Sequence, residues 1–136
     1  MSNKTAVLLM AYGTPRSPEE ILPYYTDIRR GRPPTEEQLA DLKARYDAIG
    51  GISPLAARTE AQRDALQRAL DAIAPEKFVV QLGLKHAHPM IEETVDDLAR
   101  QGIKQIIALV LAPHFSSYSI GQYVGRAQAA AEPHGI

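Results

Sequence analysis

The stretch that most constrains this chain is Ala6-Val7-Leu8-Leu9-Met10-Ala11, six apolar residues in a row, followed at once by Tyr12-Gly13-Thr14-Pro15. With no polar alternation, such a run reads as a strand buried on both faces, which is the signature of a parallel sheet. Glycine and proline directly after it force a sharp turn where the strand stops. Ligands of open α/β sheets bind beyond the carboxyl ends of the strands, and Tyr12 sits at such an end.

Two more apolar runs repeat the pattern. Residues 78–84 end in Lys85-His86, and residues 106–112 end in Pro113-His114-Phe115. Between the first and second runs lie three helical segments. Ser17-Pro18-Glu19-Glu20 has the form of a capping box with proline at the first helical position, although Pro23 requires a kink or a start nearer Ile21. Thr35–Gln38 is a second box, with Leu39, Leu42, Tyr46 and Ile49 as its expected buried stripe before Gly50-Gly51 ends the helix. Thr59 and Gln62 suggest a third box, followed by Leu66, Ala69, Leu70 and Ile73. His88-Pro89 opens the next helix, with Ile91, Val95 and Leu98 inward, and a last helix from about Ser117 carries Ile120, Tyr123, Val124 and Ala127.

Strands alternating with helices predict an α/β, Rossmann-like three-layer sandwich around a parallel sheet, because right-handed crossovers place helices on its faces. The whole of residues 1–136 reads as one domain. Three strands are few for such a fold, and the final helix has no strand after it. The expectation is therefore a domain cut before its last strand, with an open sheet edge or cleft wall through which copies self-associate.

A net charge of -1 gives no reason to expect nucleic acid as a partner. The absence of cysteine excludes disulfides and thiolate metal sites. The first apolar run is too short for a membrane span and lacks a signal-peptide cleavage pattern, so a cytoplasmic protein with no membrane partner is expected.

The strand ends bring Tyr12, Lys85, His86 and His114 to one rim, with Ser53, Arg29, Arg30 and Arg45 in loops or helix ends that could reach over it. The first turn lacks G-x-G-x-x-G and no Walker loop occurs, which disfavours nucleotides. A phenol, imidazoles, hydroxyls and arginines suit an anionic, partly aromatic ligand. Each residue also has a plain structural alternative. Tyr12 can be amphipathic packing, His86 and His114 satisfied loop residues, and the arginines a solvated cluster. No metal-ligand spacing is readable.

Several blocks add to this reading. They are Leu9-Met10-Ala11-Tyr12-Gly13-Thr14-Pro15, Tyr24-Tyr25-Thr26-Asp27-Ile28-Arg29-Arg30-Gly31-Arg32, Arg45-Tyr46-Asp47-Ala48-Ile49-Gly50-Gly51-Ile52-Ser53-Pro54-Leu55, Gly83-Leu84-Lys85-His86 and Leu111-Ala112-Pro113-His114-Phe115-Ser116. In this order they resemble the ferrochelatases, most closely the soluble branch of Gram-positive bacteria that inserts ferrous iron into coproporphyrin III. The resemblance implies a porphyrin ligand, iron as substrate rather than resident cofactor, and porphyrin contacts at Tyr12, Arg29, Arg45, Tyr46, Ser53 and Tyr123. It further implies that Tyr12 can ligate the product iron axially. Arg30, Lys85, His86 and His114 are secondary rim candidates.

Ferrochelatases are roughly double this length, and the histidine and glutamate they use for iron and protons lie in the second half. The resemblance thus implies an N-terminal domain that lacks its C-terminal partner, with no catalytic residue of its own and no useful activity alone. The alternatives are a homodimeric half-size tetrapyrrole chelatase, which typically carries histidine where Tyr12 stands, and a non-catalytic α/β binding domain.

Overall fold

The computed structural model describes residues 3–112 and 117–136. Three strands, β1 (Thr5–Ala11), β2 (Phe78–Leu84) and β3 (Ile106–Val110), form an all-parallel sheet in the order β2-β1-β3. The apolar run that opened the sequence is the central strand, and Ala6 through Ala11 are all buried. Among the described residues there are five α-helices, α1 (Ile21–Ile28), α2 (Glu36–Asp47), α3 (Leu55–Ile73), α4 (Ile91–Arg100) and α5 (Ser117–Ala131), of which α3, α4 and α5 pack on the sheet.

The sheet alternation divides the core. Val7 and Leu9 face α3, packing with Val80, Leu66 and Leu70. Leu8 and Met10 point the other way, into Ile91, Val95, Tyr123 and Ala127 of α4 and α5. Ala6 completes that side with Leu98 and Ile103. The crossover from β1 to β2 runs in one direction and that from β2 to β3 runs back over β1. Right-handed connections therefore put α3 and α4 on opposite faces, giving the three expected layers. Close approach of α4 depends on Gly83, where an added Cβ would stand 2.8 Å from Leu8 Cδ1 and 3.2 Å from Ile91 Cα.

Helix starts depart from the sequence reading in specific ways. Pro18–Glu20 is a single 3-10 turn, Ser17 makes no side-chain cap, and Glu20 instead accepts from the Arg16 backbone N–H at 2.6 Å. The α-helix proper begins at Ile21, so Pro23 falls in its first turn, where its missing N–H costs no intrahelical bond. The Thr35–Gln38 box forms on both sides, at 3.2 and 3.0 Å. Its helix nevertheless has no buried residue, and Ile49 is 57% exposed. The Thr59–Gln62 box does not form, because α3 begins a turn earlier and the buried Thr59 hydroxyl donates to the Leu55 carbonyl at 2.8 Å. Ile73, expected on the inward stripe, lies at the end of α3 and is 79% exposed. Helix α4 starts after Met90, whose N–H donates to the Glu93 carboxylate at 3.0 Å.

The two sheet edges differ. Gln67 accepts from Val80 N–H at 2.8 Å and donates to the Phe78 carbonyl at 3.0 Å, while Arg63 donates to the Val80 carbonyl at 2.8 Å. Thr94 closes the Leu82 carbonyl at 2.6 Å. Side chains thus seal the outer edge of β2. Among the described residues no side chain does this for β3, where Ile107 and Leu109 are half-exposed on the sheet face that α3 leaves uncovered. Strand β3 is accordingly not buried on both faces, contrary to what its apolar sequence implies.

Candidate functional site

The β1–β2 ladder does not stop where the strands end. Lys85 N–H donates to the Ala11 carbonyl and His86 N–H to the Tyr12 carbonyl, each at 3.0 Å. This extension places Tyr12 beside Lys85 and His86 at the carboxyl end of the sheet. Gly13, at φ 86°, then turns the chain where a Cβ would meet Ala87 Cβ at 3.0 Å.

Tyr12 is 43% exposed, so its ring is a surface element of the rim rather than a core side chain. The His86 ring meets it edge-on, with centroids 4.6 Å apart and planes inclined at 62°. The Lys85 ammonium stands 5.9 Å from the Tyr12 ring centroid and 5.5 Å from that of Tyr123, within cation–π range of both. Partial burial pushes the Tyr12 phenol up, which keeps it neutral near pH 7. Tyr24 is pushed up further, first by burial and then by Tyr46 and Tyr12 nearby. Burial also raises Tyr123, which is 4% exposed and belongs to the core with Leu8 and Met10.

Two acid–base pairs invisible in the sequence hold this rim. His86 Nδ1 lies 2.7 Å from the Asp27 carboxylate on α1. Burial lowers the His86 pKa, and Asp27 partly offsets it. On the other side, Arg126 of α5 donates twice to Glu92, at 2.6 and 2.9 Å, and once to the Lys85 carbonyl, at 2.9 Å. That contact with Arg126 lowers the Glu92 pKa and raises the arginine's. Sequence reasoning missed Asp27, Glu92 and Arg126, since their partners stand 59, 34 and 41 positions away.

The remaining candidates lie around this centre without touching it. Arg29 sits over the Tyr25 ring at 5.9 Å and donates to the Arg32 carbonyl at 3.3 Å. Arg30 is exposed, in the left-handed conformation at φ 59°. Arg45 pairs with Asp41 at 3.3 Å on the open face of α2, and Tyr46, on the same helix, is half-buried near Tyr24. Ser53 Oγ accepts from Leu55 N–H at 3.2 Å, at the start of α3. No hydrogen bond, ion pair or ring contact joins Arg45 or Ser53 to Tyr12 among the described residues. His114 lies outside the described residues.

Among the described residues no cluster of three His, Asp or Glu side chains could hold a metal ion, and no helix is long and apolar enough to cross a membrane. The half-open hollow beside His86, lined also by Pro15, Pro23, Tyr24, Ala87 and Met90, holds about 50 Å³. Small-molecule pockets run to roughly 300–1,000 Å³, so the rim is a wall rather than a pocket. A far larger hollow of about 1050 Å³ lies at the opposite end of the sheet, between β3 and the end of α5, away from these polar groups.

Comparison with known proteins bears on what this wall is for. The ferrochelatase family model matches residues 4–135. The chain is similar to a coproporphyrin III ferrochelatase of Oceanobacillus iheyensis, 54% identical over 134 residues, covering 98% of this chain and 43% of that protein. Proteins of the same name from Staphylococcus epidermidis and Staphylococcus aureus are each 52% identical over 137 aligned positions, with 100% and 45% covered. The chain thus spans a little under half the length of the curated relatives it matches.

Proposed function

This chain belongs to the ferrochelatase family, and from that premise we propose that it supplies the porphyrin-binding half of a coproporphyrin III ferrochelatase. That enzyme, a lyase of haem biosynthesis, inserts ferrous iron into the macrocycle. The observation that carries the reading is Tyr12, half-exposed at the end of the central strand and flanked by Lys85 and His86. A flat aromatic macrocycle can lie against the phenol. The cationic side chains Lys85, Arg29, Arg30 and Arg45 suit its carboxylates through charge-assisted hydrogen bonds.

In this reading iron is a substrate and no resident cofactor is needed. A bent macrocycle turns its nitrogen lone pairs toward the incoming metal, and bending needs grip from two sides. One wall offers contacts without strain. Two pyrrole protons must also leave, and general-base help is typically worth about 10²–10⁴-fold. We therefore assign the distortion and the main proton acceptor to a C-terminal partner half, and porphyrin contacts at Tyr12, Arg29, Arg45, Tyr46 and Ser53 to this one, with the buried Tyr123 ring lying behind Lys85. The setting is cytoplasmic. Without the partner half, the open β3 edge or the rim leads to self-association.

An anaerobic assay with ferrous iron or zinc and coproporphyrin III tests the reading, run beside a full-length coproporphyrin III ferrochelatase at equal concentration. The expected result is porphyrin binding by this chain with negligible metal insertion. Comparable turnover by the chain alone would overturn the division of labour and favour a homodimeric half-size chelatase.

A further inference from the structure

Asp27 is not one of the residues that the porphyrin reading calls upon, yet it makes the closest side-chain contact to the rim. It projects from the last turn of α1 and meets His86 Nδ1 at 2.7 Å, although 59 positions separate the two in sequence. An ionised carboxylate can only accept, so the proton of this bond sits on Nδ1 and the neutral ring is left with its lone pair on Nε2. The His86 side chain is 13% exposed, and three contacts hold the residue, two of them at its ring. Asp27 holds the nitrogen, the His86 backbone is tied to the Tyr12 carbonyl, and the ring edge contacts the Tyr12 ring. The other charges that act on the imidazole, Lys85 and Arg126, are cations and offer it no acceptor.

We propose that Asp27 is a positioning residue: its carboxylate selects the Nδ1–H tautomer of His86 and locks the ring that braces Tyr12 in the orientation presented to the ligand. Helix α1 thereby becomes part of the rim's support, with the Asp27 carboxylate bonded to His86. The role is that of an outer partner fixing the tautomer and plane of a ring that another group depends on. The existence of the brace follows from geometry, and its use in holding a porphyrin rests on the function proposed above.

The test is nitrogen-15 NMR of histidine-labelled chain at about pH 8, above the ordinary histidine range, so that neutral tautomers are read directly. The His86 signals are assigned by their loss in His86→Asn. In the wild type Nδ1 is of the protonated type and Nε2 of the bare type. Asp27→Ala releases the ring to a tautomer mixture, while Asp27→Asn, whose side-chain carbonyl can still accept, restores much of the Nδ1–H form. Circular dichroism and melting temperature stay unchanged, because the Asp27 side chain is 43% exposed. In parallel, coproporphyrin III binding weakens by about 3- to 10-fold in Asp27→Ala and recovers in Asp27→Asn, as loss of preorganisation requires. An Nε2–H ring in the wild type, or an unchanged tautomer in Asp27→Ala, overturns the proposal. Altered tautomers with unaltered porphyrin affinity overturn the role in the site. If no form of the chain binds porphyrin, the proposed function fails while the tautomer result still decides the brace.

Discussion

Arg126 of α5 grips Glu92 of α4 through two hydrogen bonds, at 2.6 and 2.9 Å. With its remaining amino group it holds the Lys85 carbonyl at 2.9 Å. One side chain thus ties two helices to the segment that presents Lys85 and His86 beside Tyr12. Removing it disturbs the rim before it disturbs the core, since Arg126 and Glu92 are both partly exposed.

The sign of the pH dependence follows. Glu92 is held below its ordinary pKa of 4.5, chiefly by the hydrogen bond from Arg126. A depressed carboxylate contributes stability that is present above the unfolded pKa and lost as pH falls through the folded one. Glu92→Gln is therefore less stable than wild type at pH 7, by less than about 1 kcal/mol given the exposure of the pair. Chemical denaturation at a series of pH values shows the difference shrinking below pH 4.5 and vanishing once wild-type Glu92 is protonated.

Gly83→Ala tests the packing of α4 on the sheet. The new methyl would meet Leu8 Cδ1 at 2.8 Å and the Ile91 backbone at 3.2 Å. Overpacking of this kind costs typically about 1–3 kcal/mol. Urea unfolding should show a lowered midpoint with an unchanged slope.

Strand β3 presents Ile107 and Leu109 half-exposed beside an edge that nothing among the described residues seals, whereas Gln67 and Arg63 close the edge of β2. The chain should form dimers or larger assemblies as its concentration rises, and Leu109→Lys should shift it toward monomer. Multi-angle light scattering across a dilution series reads both. A clean monomer at high concentration contradicts this prediction.

How much of this was legible depends on whether the determinant was local. The buried run 6–11 and the Thr35–Gln38 box are written in adjacent residues, and the structure carries them as read, while at the first helix it takes the start near Ile21 that Pro23 pointed to and not the Ser17 box. The exposure of β3 was not legible, because an apolar strand reads the same whether or not a helix covers it. The stripe of α2 misled for the same reason, since periodicity marks a face without saying what lies against it. At the site, Tyr12, Lys85 and His86 were readable as strand ends. Their supports, Asp27 and the Glu92–Arg126 pair, arise only when chain segments 34 to 59 positions apart are folded together.

Tyr12→Phe separates a ligand role from a packing role. The side chain is 43% exposed, so the fold and the binding of metal-free coproporphyrin should persist. The complex formed with added ferric coproporphyrin III should lose the visible bands of a phenolate bound to iron. Spectra identical to wild type would show that Tyr12 does not reach the metal.

The role proposed for this chain is one wall of a porphyrin site centred on Tyr12. Absorbance titration of coproporphyrin III with the purified chain tests it most directly. A saturable Soret shift at one porphyrin per chain is expected, weakened when Arg29 and Arg45 are both replaced by alanine. A Soret band that stays where it is in free porphyrin as the chain is added in excess, or a shift indifferent to Tyr12 and to both arginines, would contradict it.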